Sequence, residues 1–201
     1  MRYDVPVAQY RIEQSIDRSR FICTIAPADS VQVAQAFVRE MHAQFADATH
    51  NCWAYVIGAP GSTNRIGMSD DGEPHGTAGR PMLTMLLHSG IGDIAAVVTR
   101  YYGGTKLGTG GLVKAYGGSV SLALETLPRS SRVDWVHVDV SASYASIGAL
   151  QLLWPQFDIE VLCETYEADA RFSVRIPEEL VEAARTAVLD ATRGQAGFVK
   201  L

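Results

Sequence analysis

Apolar positions fall in short runs punctuated by glycine and proline, and their spacing predicts strands and helices in alternation along the chain. Residues 10–16 and 21–25 alternate or cluster apolar side chains around Asp17-Arg18-Ser19-Arg20, the pattern of a strand or hairpin. Arg18 and Arg20 are expected there as solvated edge charges. Asp29 or Ser30 can cap a helix in which Val33, Ala34, Ala36, Phe37 and Met41 form one apolar face against the sheet. A strand follows at 50–58, closed by Ala59-Pro60-Gly61-Ser62. Thr77 can cap a helix starting near Ala78 that carries Met82, Leu83, Met85, Leu86 and Leu87 inward. The run 93–101 is apolar and β-branched enough for a buried strand. After a glycine loop, Leu112, Val113, Tyr116, Val120, Leu124 and Leu127 recur at helical spacing.

Pro128 ends that helix, and the polar run 128–132 reads as a short linker, which divides the chain into a domain of residues 1–128 and a domain of residues 129–201. Beyond it the pattern gives a strand at 133–140, a helix at 144–154 stopped by Pro155, strands at 159–166 and 170–176, a helix from 178 to about 192 behind Pro177, and a strand at 197–201. That βαββαβ order is what a split βαβ, ferredoxin-like fold requires. The fold class is therefore α+β. Trp135 and Trp154 read as core residues, since the aromatic Lys/Arg-Gly-Phe-like runs of RNA-binding sheets of this topology are missing.

Composition narrows the class further. With 201 residues, 47% apolar and 19% charged, the chain can bury an ordinary core. No run of eighteen apolar residues and no apolar leader occurs, so a soluble protein with no membrane partner is expected. Cys23, Cys52 and Cys163 each lie in a strand-like apolar run, read as small buried thiols of a cytoplasmic protein. Residues 1–128 carry ten Lys and Arg against eleven Asp and Glu; residues 129–201 carry seven against eleven, so most of the net charge of −5 is C-terminal. No basic footprint suited to wholesale duplex binding is present. Only three lysines exist, however, and Lys106 and Lys114 both fall within one stretch.

That stretch runs from Ser69 to Tyr116 and holds more than half of the chain's 18 glycines. It joins the acidic turn SDDGEPHGTAGRP to VVTRYYGGTKLGTGGLVKAY, a strand, a glycine loop and a helix. Such an order presents the free N–H groups of a helix N-terminus beside Lys106, an arrangement suited to anions such as phosphate. Neither a Walker loop nor a dinucleotide fingerprint is matched: Thr109-Gly110 stand where Lys-Ser/Thr belongs, and Val113 where the third glycine belongs. Glycines that merely permit a tight turn and close packing are the plainer alternative. Turn and cap roles explain the acidic residues Asp70, Asp71 and Glu73 without further chemistry, and binding a hard cation or acid–base chemistry is the lesser alternative. His75 supplies neither a partnered nucleophile nor a complete ligand set, so no catalytic residue, metal or cofactor is expected.

The two motifs closely resemble the signature of the IMPACT family, with the likeness detailed over residues 10–127 and a small second domain over 133–201. The resemblance implies an N-terminal domain with the fold of the second domain of ribosomal protein S5, shared with elongation factor G, and a C-terminal ferredoxin-like domain. It also implies a link to translation, since eukaryotic relatives are translational regulators and nucleic-acid or ribosome binding is inferred for the bacterial branch. His75 stands where the family usually has a small residue, and Tyr102 where Phe is common. The expected function is a regulatory or binding protein contacting RNA, the ribosome or a translation factor. Arg80, Arg100, Lys106 and Lys114 would meet phosphate or acidic groups, Tyr101 and Tyr102 would stack, and Asp70, Asp71 and Glu73 would orient the cations. An enzyme acting on a phosphorylated small molecule and a protein-binding adaptor are the alternatives.

Overall fold

The computed structural model describes residues 2–201 and divides into two compact units, residues 3–131 and Arg2 together with residues 132–201. In the first unit the strands are β1 (Arg2–Pro6), β2 (Tyr10–Ile16), β3 (Ser19–Pro27), β4 (His50–Val56), β5 (Ile66–Ser69), β6 (Ile94–Tyr101) and β7 (Arg129–Val133), the first and last reaching the division. The helices are α1 (Val31–Gln44), α2 (Gly79–Leu87) and α3 (Gly108–Thr126). Five strands form an antiparallel sheet in the order β2-β3-β6-β4-β5.

Both faces of that sheet are covered, which is why β6 reads as a continuous apolar run instead of an alternating one. Ile94, Ala96 and Val98 pack with Met82 and Leu86 of α2 and Leu112 and Val120 of α3. Ala95 and Val97 face the other way, toward Ala34, Phe37 and Met41 of α1. Burying each large side chain in these layers contributes roughly 2 kcal/mol.

Several expectations need correction. Ser30 caps α1 by accepting from the Val33 N–H, yet Val33 and Ala36 point to solvent, because the sheet meets only the narrower stripe through Ala34, Phe37 and Met41. Thr77 does not cap α2; its hydroxyl donates to the Pro74 carbonyl. The run expected as a linker instead forms β7, paired with β1 in a two-stranded ladder. Its polar side chains signal exposure, while its backbone still pairs.

The second unit contains β8 (Trp135–Ala142), α4 (Ile147–Leu153), β9 (Glu160–Tyr166), β10 (Ala170–Pro177), α5 (Val181–Ala191) and β11 (Gly197–Lys200). Its sheet order, β11-β8-β10-β9, is antiparallel throughout and ferredoxin-like. Val138, Val140, Phe172, Val174 and Ile176 meet Leu150, Trp154, Val181, Ala184 and Val188 in one core. Pro155 sits inside a 3-10 turn, Trp154–Phe157, which ends at Asp158 with φ of 49°. Trp154 is buried as expected, whereas Trp135 is half-buried with the Arg175 guanidinium 4.6 Å from its ring centre. Cys23 and Cys52 are buried, but Cys163 is exposed: it lies on the sheet face that the core helices leave open.

Candidate functional site

The acidic turn is held together by its own carboxylates. Asp70 accepts from the backbone N–H groups of Gly76 at 2.8 Å, Ala78 at 3.1 Å and Gly79 at 2.9 Å, so it supplies from nine residues away the cap that α2 lacks locally. Burial alone would raise its pKa; the three donated hydrogen bonds outweigh that and hold the carboxyl below the ordinary aspartate range. Asp71, at φ of 41°, accepts the Asn51 N–H at 2.6 Å, and its carbonyl lies 2.8 Å from His50 Nδ1. A carbonyl offers only lone pairs, so Nδ1 carries the proton. The other ring nitrogen of His50 is 3.9 Å from Glu73 Oε1.

Glu73 is buried and is tied to the adjacent strand and helix. Its Oε1 accepts from Arg100 Nη1 at 2.6 Å, at the end of β6, and from the Tyr116 hydroxyl at 2.7 Å, in α3. Burial, with the nearby Cys52 thiol and the Glu73 carboxylate, drives the Tyr116 pKa far above the phenol range. Burial likewise raises the Cys52 thiol well beyond the ordinary range, and Cys52 donates to the Asp70 carbonyl. These protonated groups act as fixed donors, not nucleophiles.

Alternation along β6 turns Arg100 toward α3, the same side as Ile94, Ala96 and Val98. Its guanidinium carbon lies 5.4 Å from the ring centres of both Phe21 and Tyr102. Nη2 donates to the Ser19 hydroxyl at 3.3 Å, whereas the buried Nε has no acceptor. Tyr101 points elsewhere, its hydroxyl donating to Asp47 while Arg20 lies over its ring at 4.3 Å. The hydrogen bond to Asp47 is the main reason its pKa is raised.

The loop then passes directly over the β2–β3 turn. A Cβ on Gly103 would fall 1.9 Å from the Arg18 carbonyl oxygen, so only glycine fits. Arg18, expected as a solvated charge remote from the motif, thus supplies the backbone on which the loop rests. Helix α3 begins at Gly108, φ 69°, with no side chain capping its first turn.

Glu73, Pro74, Arg100, Tyr102, Lys106, Leu107, Gly108, Thr109 and Leu112 line one cleft of about 370 Å³. The acidic turn and the glycine loop therefore share a wall-to-wall site through Glu73 and Lys106, with Tyr102 45% exposed at its edge. Asp70, Asp71, Arg80, Tyr101 and Lys114 do not line it. Arg80 borders a separate groove between α2 and α3 with Pro81, Met85, Val113 and Gly117, while Lys114 is exposed on α3. His75 is exposed, and no group of three or more His, Cys, Asp or Glu among the described residues is placed to hold a metal ion. Tyr116 and Ser19 are participants that sequence reasoning passed over. For Tyr116 a signal existed: a tyrosine between Leu112 and Val120 on a buried helix face needs a partner for its hydroxyl.

The Impact N-terminal domain family matches residues 17–124, which contain every one of these groups. The chain belongs to the IMPACT family. A second family, the domain of unknown function DUF1949, matches residues 140–195 of the ferredoxin-like unit. The IMPACT family member YigZ of Escherichia coli is 42% identical over 190 residues, covering 94% of this chain and 93% of the relative. The IMPACT family member YvyE of Bacillus subtilis is 38% identical over 182 residues, 90% of this chain and 82% of that one. A crystal structure described as a hypothetical protein matches with a TM-score of 0.68 at 40% identity, covering 100% of this chain and 97% of the other. Each of the two motifs contributes to the cleft, the acidic turn through Glu73 and Pro74 and the glycine loop through Lys106, Leu107 and Gly108. No helix among the described residues is long and apolar enough to cross a membrane.

Proposed function

We propose that this IMPACT family member is a cytoplasmic, translation-linked binding protein that contacts RNA, alone or within the ribosome, through the cleft between the acidic turn and the glycine loop. The observation that carries the reading is the convergence of the uncapped N-terminus of α3, Lys106 and Arg100 beside the exposed ring of Tyr102. Helix N-terminal N–H groups and a lysine hold phosphate, and an exposed tyrosine offers a face on which a base stacks. Lys106 makes no ion pair among the described residues, so its charge is available to a ligand. Asp70 and Asp71 accept backbone N–H groups, and the buried Glu73 cancels the charge of Arg100 without competing for Lys106.

The test is the salt dependence of affinity for a short single-stranded RNA. Loss of one phosphate contact in Lys106→Ala reduces the log–log slope by about 0.7. A slope identical to that of the wild type removes Lys106 from the interface. Capture of a translation factor with no affinity for RNA would favour a protein partner at the same cleft.

A further inference from the structure

The charge inventory of the cleft points to a narrower ligand than nucleic acid in general. We infer that it receives a terminal phosphate, a phosphomonoester carried by a nucleotide or by the end of a single strand, in preference to an internal phosphodiester. This rests on the phosphate-binding reading above and adds to it the kind of phosphate.

Among the charged groups lining the cleft, Arg100 and Glu73 neutralise each other at 2.6 Å, which leaves Lys106 and the α3 N-terminus. Together these amount to about +1.5 elementary charges, +1 from the ammonium and roughly +0.5 from the helix. A phosphomonoester at neutral pH carries about −1.5 to −2, whereas each internal phosphodiester carries a single negative charge. The match is to one doubly charged group, held at a point. The overall charge argues the same way: the protein's net charge is −5, and the cations among the residues that line the cleft are Arg100 and Lys106.

A second observation is independent of the helix. Arg100 is only 5% exposed, lines the cleft, and its Nε has no hydrogen-bond acceptor. A buried guanidinium N–H left without a partner is an unfilled donor position, and a phosphate oxygen is an acceptor of the right kind for it. The remaining walls are apolar, formed by Pro74, Leu107 and Leu112, with the Tyr102 ring at the edge. They suit the sugar and base of one nucleotide. A volume of about 370 Å³ is at the small end for ligand sites, as expected for one such unit.

The experiment compares a short single-stranded RNA bearing a 5′-phosphate with the same RNA bearing a 5′-hydroxyl, and AMP with adenosine, using the full chain and Lys106→Ala. The phosphorylated member of each pair that binds is expected to bind at least about tenfold more tightly at pH 7.5, since the added contacts are charge-assisted. That preference declines as pH falls below about 6, where the second phosphate proton returns. It also shrinks in Lys106→Ala, whose exposed position leaves the fold intact. Competition by AMP against the phosphorylated RNA identifies free nucleotide as sufficient; binding of the phosphorylated RNA that AMP does not displace identifies the strand end. Equal affinity for both RNAs overturns the inference while the phosphate-binding reading survives. Absence of binding to every RNA and nucleotide defeats both.

Discussion

The carboxylate of Glu73 holds Arg100 and Tyr116 at once, so its loss has two costs. Glu73→Ala leaves a buried guanidinium charge unpaired and is expected to destabilise the first unit by about 3–5 kcal/mol in urea unfolding. Asp70 acts differently, chiefly through backbone N–H groups, with His75 Nδ1 3.7 Å from its Oδ2. Asp70→Ala should cost about 1–2 kcal/mol, the range of a strong helix cap, with its effect centred on α2. The pH dependence follows from the depressed folded pKa. Its contribution is complete above the unfolded aspartate value of about 3.9 and is lost as pH falls through the lower folded value. The gap between wild type and Asp70→Ala should therefore close at acidic pH; a gap that persists unchanged would show the carboxylate's charge to be irrelevant. The acidity of this turn was plain in the sequence, but its use was not. Capping rules look at the residue beside the helix, and Thr77 satisfied them on paper while a carboxylate nine residues away took the role.

At the level of elements, the periodic segments were legible because burial writes directly into residue spacing. All the core strands, α1, α3 and the C-terminal βαββαβ order are where apolar spacing puts them. What spacing missed was paired backbone with weak side-chain signal: β1, the short edge strand β5, and β7 with its four exposed residues. Whether a glycine is needed or merely tolerated was equally hidden, since the answer lies in a neighbour distant in sequence. Gly103→Ala must displace the Arg18 carbonyl and should cost about 1–3 kcal/mol, as overpacking does, while loosening the loop that carries Lys106. At Gly118, inside α3, an added Cβ would have open space within 4 Å. Gly118→Ala is expected to stabilise by roughly 0.5–1 kcal/mol on helix propensity alone. Chemical denaturation of the pair checks both signs, and a destabilised Gly118→Ala would mean that the outer face of α3 is not free.

For the molecule as a whole, thiol chemistry distinguishes its two units. Burial pushes the Cys23 pKa up to about 12 and that of Cys52 higher still, while Cys163 is open to solvent. A thiol-reactive dye should therefore label one cysteine in the native protein and three after denaturation, with Cys163→Ser abolishing the native signal. Rapid labelling of a second thiol would reveal opening of the first unit's core. The cleft itself was only half visible beforehand: its two motifs could be named from the sequence, but the seat that Ser19 provides lies 84 residues upstream of Gly103 in the loop it supports. That seat has a bearing on protein engineering. Grafting residues 103–111 onto another strand-to-helix junction would transfer the glycines and the lysine without their foundation, and the transplanted segment would need the β2–β3 turn, with its two left-handed residues Asp17 and Arg18, to keep its shape.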